Sequence, residues 1–250
     1  KLFPAQTRED AIKQMIGMRS KYQNFKTYAA ATLDDLFTPE QIKGAQVLKA
    51  NYFNSSYLQN NGNGKFSITA LPLAAQVSTL NGMQVDDFNG DGNLDIAING
   101  NDFGTEVSVG RYDALNGLIM LGDGKGGFLP QSILESGLFL PGNGKALVKL
   151  TNAKGEYLMA ASQNKGPLKI YKSKIIQTSI KVMPNEVAAI ITYTNGKTRK
   201  EEFYYGQSFL SQSGRSILKN DKLNLVIGGE QFANERIYAL LPFPDDPDTL

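Results

Sequence analysis

One short acidic segment constrains the fold of this chain more than any other feature. From residue 87 to residue 95, oxygen-bearing side chains stand at every second position, and glycines occupy the fourth and sixth positions. Calcium in proteins takes about six to eight oxygen ligands, which a tight loop of this spacing supplies. We therefore predict a calcium site in which residue 93 contributes its backbone carbonyl and the other four their side chains. The predicted ligands are Asp87, Asn89, Asp91, Asn93 and Asp95.

The same segment begins like an EF-hand loop but does not continue as one. An EF-hand requires glutamate at the twelfth position, which here is Ile98. Asp95 is followed at once by the apolar run Ile96-Ala97-Ile98, which indicates a strand. A metal-free, glycine-rich polar hairpin is the alternative. Crowded carboxylates repel each other unless something neutralises them, and this favours the metal.

Residues 85–97 resemble the calcium-binding core of an FG-GAP or VCBS repeat. Residues 117–128 resemble the hydrophobic strand and glycine-rich turn that follow this core in the family, with one extra residue in the turn. Residues 203–213 are similar to the ASPIC/UnbV segment found after VCBS repeats in bacterial proteins. The resemblance implies propeller-type antiparallel blades, a place at the bacterial cell envelope, and a role in cell adhesion or in capture of a polymer such as a glycan.

Repeated turns and strand patterns extend this interpretation. The turn at residues 60–66 recurs at 122–128, each ending in phenylalanine, which suits a repeated blade. Residues 145–172 predict a further half-blade that lacks the aspartates and so binds no metal. Two strand-like runs flank Asn195-Gly196, a strong hairpin signal.

The start of the chain predicts helices instead. Thr7 precedes a helical pattern over residues 8–22, and Thr38-Pro39 begins a short helix ending near Gly44. The predicted fold class is thus mainly β with a helical N-terminal segment, a partial propeller and a C-terminal β module. The predicted divisions are a helical segment at 1–45, blades at 46–174, a β module at 175–241 and a tail at 242–250.

The composition excludes several classes of function. The chain has no histidine and no cysteine, which excludes a Ser-His-Asp triad, a thiol nucleophile and zinc held by these residues. A net charge of +2 without a basic cluster argues against a nucleic-acid partner. No apolar run is long enough for a transmembrane segment. The start at Lys1, without a signal peptide, suggests a piece of a longer chain.

A second polar cluster follows the acidic loop between residues 99 and 113. It offers carboxylate and amide hydrogen-bonding groups, one arginine and the aromatic residues Phe103 and Tyr112. Its charges either pair with each other and with solvent, bind a polar ligand, or provide carboxylates for glycoside cleavage. The predicted ligand contacts are Asn101, Asp102, Glu106, Arg111 and Asp113.

These features together predict a non-catalytic, calcium-stabilised binding or adhesion module that works outside the cytoplasm. Its partner would be a glycan or a surface protein. The alternatives are a carbohydrate-active lyase or hydrolase on a calcium-bearing propeller, and a structural element of a larger envelope protein.

Overall fold

The computed structural model describes residues 1–107, 109–173, 178–193, 196–219, 223–228 and 236–238. The chain divides into two compact units, Lys1–Phe53 and Asn54–Leu250. The predicted tail at 242–250 lies outside the described residues.

The first unit consists of five short helices. They are α1 (Arg8–Gln14), α2 (Met18–Lys21), α3 (Phe25–Ala29), α4 (Leu33–Leu36) and α5 (Pro39–Ile42). The predicted continuous helix over residues 8–22 is wrong, because the chain leaves the helical conformation between α1 and α2. Met15, which follows α1, is extended at φ −137° and ψ 90°.

Side-chain caps start these helices where the sequence predicts. Thr7 accepts a hydrogen bond from the Asp10 amide at 3.2 Å, and Thr38 and Gln41 form a reciprocal capping box at α5. Helices this short are marginal in isolation, so their stability must come from packing. Their shared core is Ala11, Met18, Tyr22, Tyr28, Ala31 and Leu36. No helix in the described part of the chain is long and apolar enough to cross a membrane.

The second unit is built from strands in antiparallel sheets. Its strands up to residue 131 are β1 (Ser56–Asn60), β2 (Phe66–Ala70), β3 (Leu80–Asp86), β4 (Asp95–Gly100), β5 (Leu118–Gly122) and β6 (Phe128–Gln131). A 3₁₀ turn, Leu73–Ala75, precedes β3, and α6 (Ile133–Ser136) follows β6. The remaining strands are β7 (Gly144–Thr151), β8 (Tyr157–Gln163), β9 (Lys169–Lys172), β10 (Thr178–Lys181), β11 (Ala188–Tyr193), β12 (Thr198–Glu202), β13 (Ser216–Lys219), β14 (Leu223–Gly228) and β15 (Arg236–Tyr238).

These strands form five separate sheets. The sheet orders are β1-β2, β3-β4-β5-β6, β7-β8-β9, β10-β13 and β12-β11-β14-β15. The prediction of a mainly β fold with a helical start is confirmed. Among the described residues, however, no sheet is closed or propeller-like. A propeller repeats four-stranded blades around a channel, whereas these sheets have two, three or four strands.

Local strand and turn predictions hold better than the predicted assembly. The turns at 60–66 and 122–128 both join neighbouring antiparallel strands, and each second strand starts at the phenylalanine. The strands predicted within 145–172 are β7, β8 and β9. The strands around Asn195-Gly196 pair as β11 and β12, although residues 194–195 lie outside the described part.

The sheet β3-β4-β5-β6 packs against β7 through buried polar side chains as well as apolar ones. Asn99 on β4 accepts a hydrogen bond from the Gly82 amide at 2.8 Å and donates to the Ala146 carbonyl at 3.0 Å. A side chain at Gly82 would not fit, because a Cβ there would lie 2.5 Å from the Leu147 nitrogen. This contact holds β3 close to β7.

Candidate functional site

The acidic loop connects β3 to β4, whose end residues Asp86 and Asp95 are paired in register. Gly90 and Gly92 both have positive φ, at +76° and +93°. Residues with a Cβ rarely adopt this conformation, so both glycines are required for the curl of the loop. Gly92 also lies against an aromatic ring, since a Cβ there would be 3.1 Å from Tyr193 Cε1.

Asp87 is the organising side chain of the loop. Its Oδ1 accepts hydrogen bonds from the amides of Gly90 at 2.7 Å and Asp91 at 3.1 Å, and its Oδ2 accepts one from the Gly92 amide at 2.9 Å. Three backbone donors therefore converge on one carboxylate that is only 7% exposed. The loop is curled around the first of the predicted ligands.

The next two predicted ligands continue the same pattern nearer the surface. Asn89 Oδ1 accepts from the Asp91 amide at 3.0 Å, and Asp91 Oδ1 accepts from the Asn93 amide at 2.7 Å. The Asn89 side-chain amide donates to Asp91 Oδ2 at 3.1 Å. Asn93 contacts the following hairpin turn, because a Cβ at Gly124 would lie 2.5 Å from Asn93 Oδ1.

Asp95 closes the loop from inside the protein and is fully buried. Its Oδ2 accepts a hydrogen bond from the Phe88 amide at 2.8 Å, and its Oδ1 accepts one from the Gly122 amide at 2.9 Å. The side chain thus ties the start of the loop to the end of β5. The Gly122 amide is buried and the Phe88 amide is partly buried, so Asp95 satisfies two backbone donors that are at least partly shielded from water.

Several carboxylates lie close together in the loop, and this affects their pKa values. Burial is the main cause that raises the pKa of Asp95, and the charges of Asp87 and Asp91 raise it further. Burial likewise raises the pKa of Asp87, with a contribution from Asp91, although the backbone donors oppose both shifts. The loop therefore holds negative charge at a free-energy cost that a bound cation would relieve.

The oxygen atoms that the loop carries are of the chemical types that calcium binds. The present arrangement of its side chains suits calcium less well. Calcium prefers carboxylate, amide and carbonyl oxygens, and these are the groups that the loop carries. Each ionised carboxylate oxygen has room for more than one partner, so the backbone bonds leave capacity for a cation. Among the described residues, however, no three acidic side chains converge into a metal-holding group.

The turn from β7 to β8 is arranged around Asn152 and Glu156 instead of aspartates. Asn152 Oδ1 accepts from the amides of Lys154 and Glu156, both at 2.9 Å, and its Nδ2 donates to Glu156 Oε2 at 2.7 Å. The ammonium of Lys172 lies 2.7 Å from Glu156 Oε1. The Lys172 ammonium thus supplies the positive charge beside the Glu156 carboxylate. The turn carries this single carboxylate, which is paired with a lysine, and that the segment binds no metal stays a prediction.

The predicted ligand contacts after β4 fall into two groups. Asn101 is fully buried, where its Nδ2 donates to the carbonyls of Leu115 and Gly142 and its Oδ1 accepts from the Leu115 amide. This residue holds the backbone and has both side-chain donor hydrogens engaged. It is therefore a structural residue in this structure.

Three of the other four predicted contacts lie in the loop closed by paired backbone bonds between Asp102 and Tyr112, at 2.9 and 2.8 Å, and Asp113 follows it directly. Arg111 lies over the Phe103 ring at 4.7 Å and donates from Nε to Asp113 Oδ2 at 2.9 Å. The side chains of Arg111 and Asp113 are 62% and 49% exposed. Most of the charged side chains among the predicted contacts are therefore at the surface. Arg111 and Asp113 form an ion pair in which their charges neutralise each other.

Sequence analysis missed a buried ion pair beside the acidic loop. The Lys149 ammonium lies 3.1 Å from Asp86 Oδ2, and both side chains are less than a tenth exposed. Burial raises the pKa of Asp86 to about 6, against the opposing charge of Lys149. A lysine alternating with apolar residues in a strand was the available signal, but its partner is more than sixty residues away.

Sequence analysis also missed a pocket of about 350 Å³ that begins at the edge of the acidic loop. Phe88 and Asn89 belong to its lining, together with residues of β5, β8 and β9. The sequence predicted the strand that carries Tyr157 and Met159 but not a cavity, which forms between strands that are distant in sequence.

Comparison with known proteins gives no relative from which a function could be transferred. The chain matches no protein-family model, and no curated protein matches it.

Proposed function

We propose that this protein is a non-catalytic binding or adhesion module that is stabilised by one calcium ion and works outside the cytoplasm. The ion would be held by side-chain oxygens of Asp87, Asn89, Asp91 and Asp95 and by the Asn93 carbonyl. The exposed loop at 102–113 would contact a glycan or protein partner. The FG-GAP-like and VCBS-like sequence motif supports the location and the type of partner.

One observation carries the calcium proposal: two aspartates are buried in the same loop with raised pKa values and a third acid adjacent. Buried charge without a partner is costly. The buried aspartate nearby, Asp86, has a lysine at 3.1 Å, and Glu156 in the corresponding turn has Lys172. Among the described residues, the fully buried Asp95 forms no salt bridge of this kind and accepts hydrogen bonds from the Phe88 and Gly122 amides. A bound cation would provide positive charge beside this carboxylate.

The 102–113 loop supports the binding part of the proposal through its exposed groups. Arg111 is stacked on Phe103 and paired with Asp113, which presents a pre-ordered planar donor at the surface. Guanidinium groups favour planar, bidentate recognition of carboxylates. Because β4 begins at Asp95 and leads into this loop, an ion at the acidic loop would stabilise the strand from which the binding loop departs.

A luminescent calcium substitute tests the site directly. The chain has no tryptophan, so excitation of terbium bound to the protein must come from tyrosine or phenylalanine. Tyr193 contacts Gly92 of the loop and is the expected tyrosine donor. We expect terbium luminescence under tyrosine excitation that saturates at one ion per chain and that calcium displaces.

Two variants make the test specific. Asp91→Ala should abolish the saturable signal, because it removes an acidic ligand. Tyr193→Phe should lower the intensity under tyrosine excitation but leave the calcium concentration for displacement unchanged. A parent protein without saturable luminescence, or an undiminished signal in Asp91→Ala, would contradict the proposal.

A further inference from the structure

Asparagine is followed by glycine at eight places in this chain, with the asparagine at residues 61, 63, 81, 89, 99, 116, 143 and 195. The backbone nitrogen after an asparagine can attack the carbon of the side-chain amide, and glycine hinders this attack least because it has no Cβ. The attack requires a side chain that is free to rotate and a following amide that is not hydrogen-bonded. The folded structure therefore decides which of these pairs can react.

Most of these pairs are held in place by their surroundings. Asn99 is fully buried, and Gly117 packs closely against Leu140, because a Cβ at Gly117 would lie 3.2 Å from Leu140 Cβ. An amide that donates a hydrogen bond keeps its proton and is directed away from the preceding side chain. Five of the glycine amides donate one: Gly62 to Asn60 Oδ1 at 2.9 Å, Gly82 to Asn99 Oδ1 at 2.8 Å, Gly90 to Asp87 Oδ1 at 2.7 Å, Gly144 to the Gly142 carbonyl at 3.0 Å and Gly196 to the Tyr193 carbonyl at 2.9 Å.

The pair Asn63-Gly64 differs from these in all respects. It lies in the turn between β1 and β2, and both residues are exposed. Among the described residues, neither the Asn63 side chain nor the Gly64 amide has a hydrogen-bond partner. A Cβ at Gly64 would meet no atom within 4 Å beyond its chain neighbours. The space around the reacting atoms is therefore open.

The turn that carries this pair can open locally at low cost. It is closed by two backbone hydrogen bonds between exposed residues, from the Asn61 amide to the Lys65 carbonyl at 2.9 Å and from the Lys65 amide to the Gly62 carbonyl at 3.0 Å. Exposed hydrogen bonds of this kind break in local fluctuations. Asn63 has a φ of +52°, which asparagine tolerates better than most residues, and opening of the turn relieves this left-handed conformation. The Gly64 nitrogen can then reach the Asn63 side chain.

We propose that Asn63 is a site of spontaneous deamidation. The Gly64 nitrogen attacks Asn63 Cγ, so that a C–N bond forms, the Cγ–Nδ2 bond breaks, and ammonia leaves with the proton of the Gly64 amide. Water then opens the cyclic imide at either carbonyl and gives aspartate or isoaspartate. The product adds one negative charge to the turn and lowers the net charge of the chain from +2 by one. The reaction requires only water, so it does not depend on the proposed function.

The isoaspartyl product defines the class of enzyme that would act on the aged chain. It lengthens the main chain of the turn by one carbon atom and presents a free α-carboxylate at an exposed position. Carboxyl methyltransferases that act on isoaspartate esterify this group. The turn between β1 and β2 is therefore where such an enzyme should methylate this protein.

Ageing of the whole chain in mildly alkaline buffer tests the proposal. Digestion at mildly acidic pH with a lysine-specific protease releases residues 50–65 as one peptide, because Lys49 and Lys65 bound it. The peptide contains both Asn61 and Asn63, and fragmentation in the mass spectrometer assigns the mass increase to one of them. We expect Asn63 to react about tenfold faster than Asn61, whose following amide must first lose one net hydrogen bond. An isoaspartyl methyltransferase should methylate the aged peptide at Asn63.

Two comparisons test whether the folded structure makes this selection. In guanidinium chloride, where the chain is unfolded, Asn61 and Asn63 should react at nearly equal rates. Asn63→Gln should abolish the acidic form that accumulates first on ion exchange, whereas Asn61→Gln should leave it unchanged. Both positions are exposed, so neither substitution removes a buried contact.

An aged parent protein in which Asn63 has not reacted would overturn the proposal. So would an Asn61 that reacts as fast as Asn63 in the folded chain, or the same preference for Asn63 in guanidinium chloride. An acidic form that accumulates at the parent rate in Asn63→Gln would also overturn it.

Discussion

The buried carboxylate of Asp95 accepts a hydrogen bond of 2.9 Å from the amide of Gly122, at the far end of the neighbouring strand. The second oxygen accepts from Phe88 at the start of the acidic loop. A Cβ at Gly122 would lie 2.1 Å from the Leu94 carbonyl oxygen, so the two strands approach as closely as their backbones allow. Asp95 is therefore a structural anchor as well as a predicted calcium ligand.

Because of this double role, substitution of Asp95 should affect stability differently from substitution of Asp91. Asp95→Ala should lower the free energy of unfolding by about 2–4 kcal/mol in chelator as well as in calcium, because the buried Gly122 amide and the partly buried Phe88 amide lose their acceptor. Asp91→Ala should change stability little in chelator and should reduce it mainly in calcium. Urea unfolding in both buffers measures the difference. Equal losses for the two variants in chelator would show that Asp95 is not the anchor.

The ion pair between Lys149 and Asp86 should be strongly destabilised by removal of one partner. Lys149→Met leaves a buried carboxylate without compensation, at a cost of about 3–5 kcal/mol. Asp86→Leu combined with Lys149→Met should recover most of this loss. The exposed pair of Lys200 with Glu202 is the control, and Lys200→Met should leave the melting temperature nearly unchanged. A double variant no more stable than Lys149→Met alone would contradict this assignment.

Asn101 should behave as a structural residue, in contrast to the sequence-based prediction that it contacts a ligand. Its φ of +83° disfavours alanine, and Asn101→Ala also removes three buried hydrogen bonds. We expect a loss of about 2–4 kcal/mol in the free energy of unfolding, measured in urea. Arg111→Ala, in the exposed loop, should leave stability nearly unchanged. A stable Asn101→Ala variant would return this residue to the set of candidate ligand contacts.

The calcium increment in stability should depend on pH. The folded-state pKa values of Asp86, Asp87 and Asp95 are all raised above 3.8, and that of Asp86 lies at about 6. Without calcium, these groups contribute stability that is fully present below pH 3.8 and is lost as pH rises through the folded values. Calcium favours the ionised form of Asp87 and Asp95, so protons compete with it. The difference in melting temperature between calcium and calcium-free buffer should shrink as pH falls towards the folded-state pKa values of Asp87 and Asp95. A difference that grows as pH falls would contradict the assignment of these aspartates as ligands.

Local patterns in the sequence predicted individual elements well. Thr7 and Thr38 identify helix starts because their side chains satisfy free amides in the adjoining turn. The glycine turns before Phe66 and Phe128 identify hairpins because their positive φ values require glycine. These signals depend on neighbours within a few residues, and so the sequence displays them.

The arrangement of sheets could not be predicted in this way. The contacts that decide it are long-range, such as Lys149 with Asp86 and Asn99 with the backbone of β7. The propeller prediction extended one motif to the whole chain, whereas the described sheets are small and separate. The pocket likewise depends on the packing of distant strands.

Thermal unfolding in calcium and in chelator tests the central claim most directly. Extracellular calcium modules commonly bind at about 10⁻⁴–10⁻³ M, so 10 mM calcium corresponds to as much as about 100 times the dissociation constant. That excess stabilises by about 2.7 kcal/mol, or about 5–10 °C in melting temperature for a unit of this size. The account predicts such an increase for the parent protein, none with magnesium at the same concentration, and none for Asp91→Ala. Identical melting curves in calcium and in chelator, or an undiminished increase in Asp91→Ala, would contradict it.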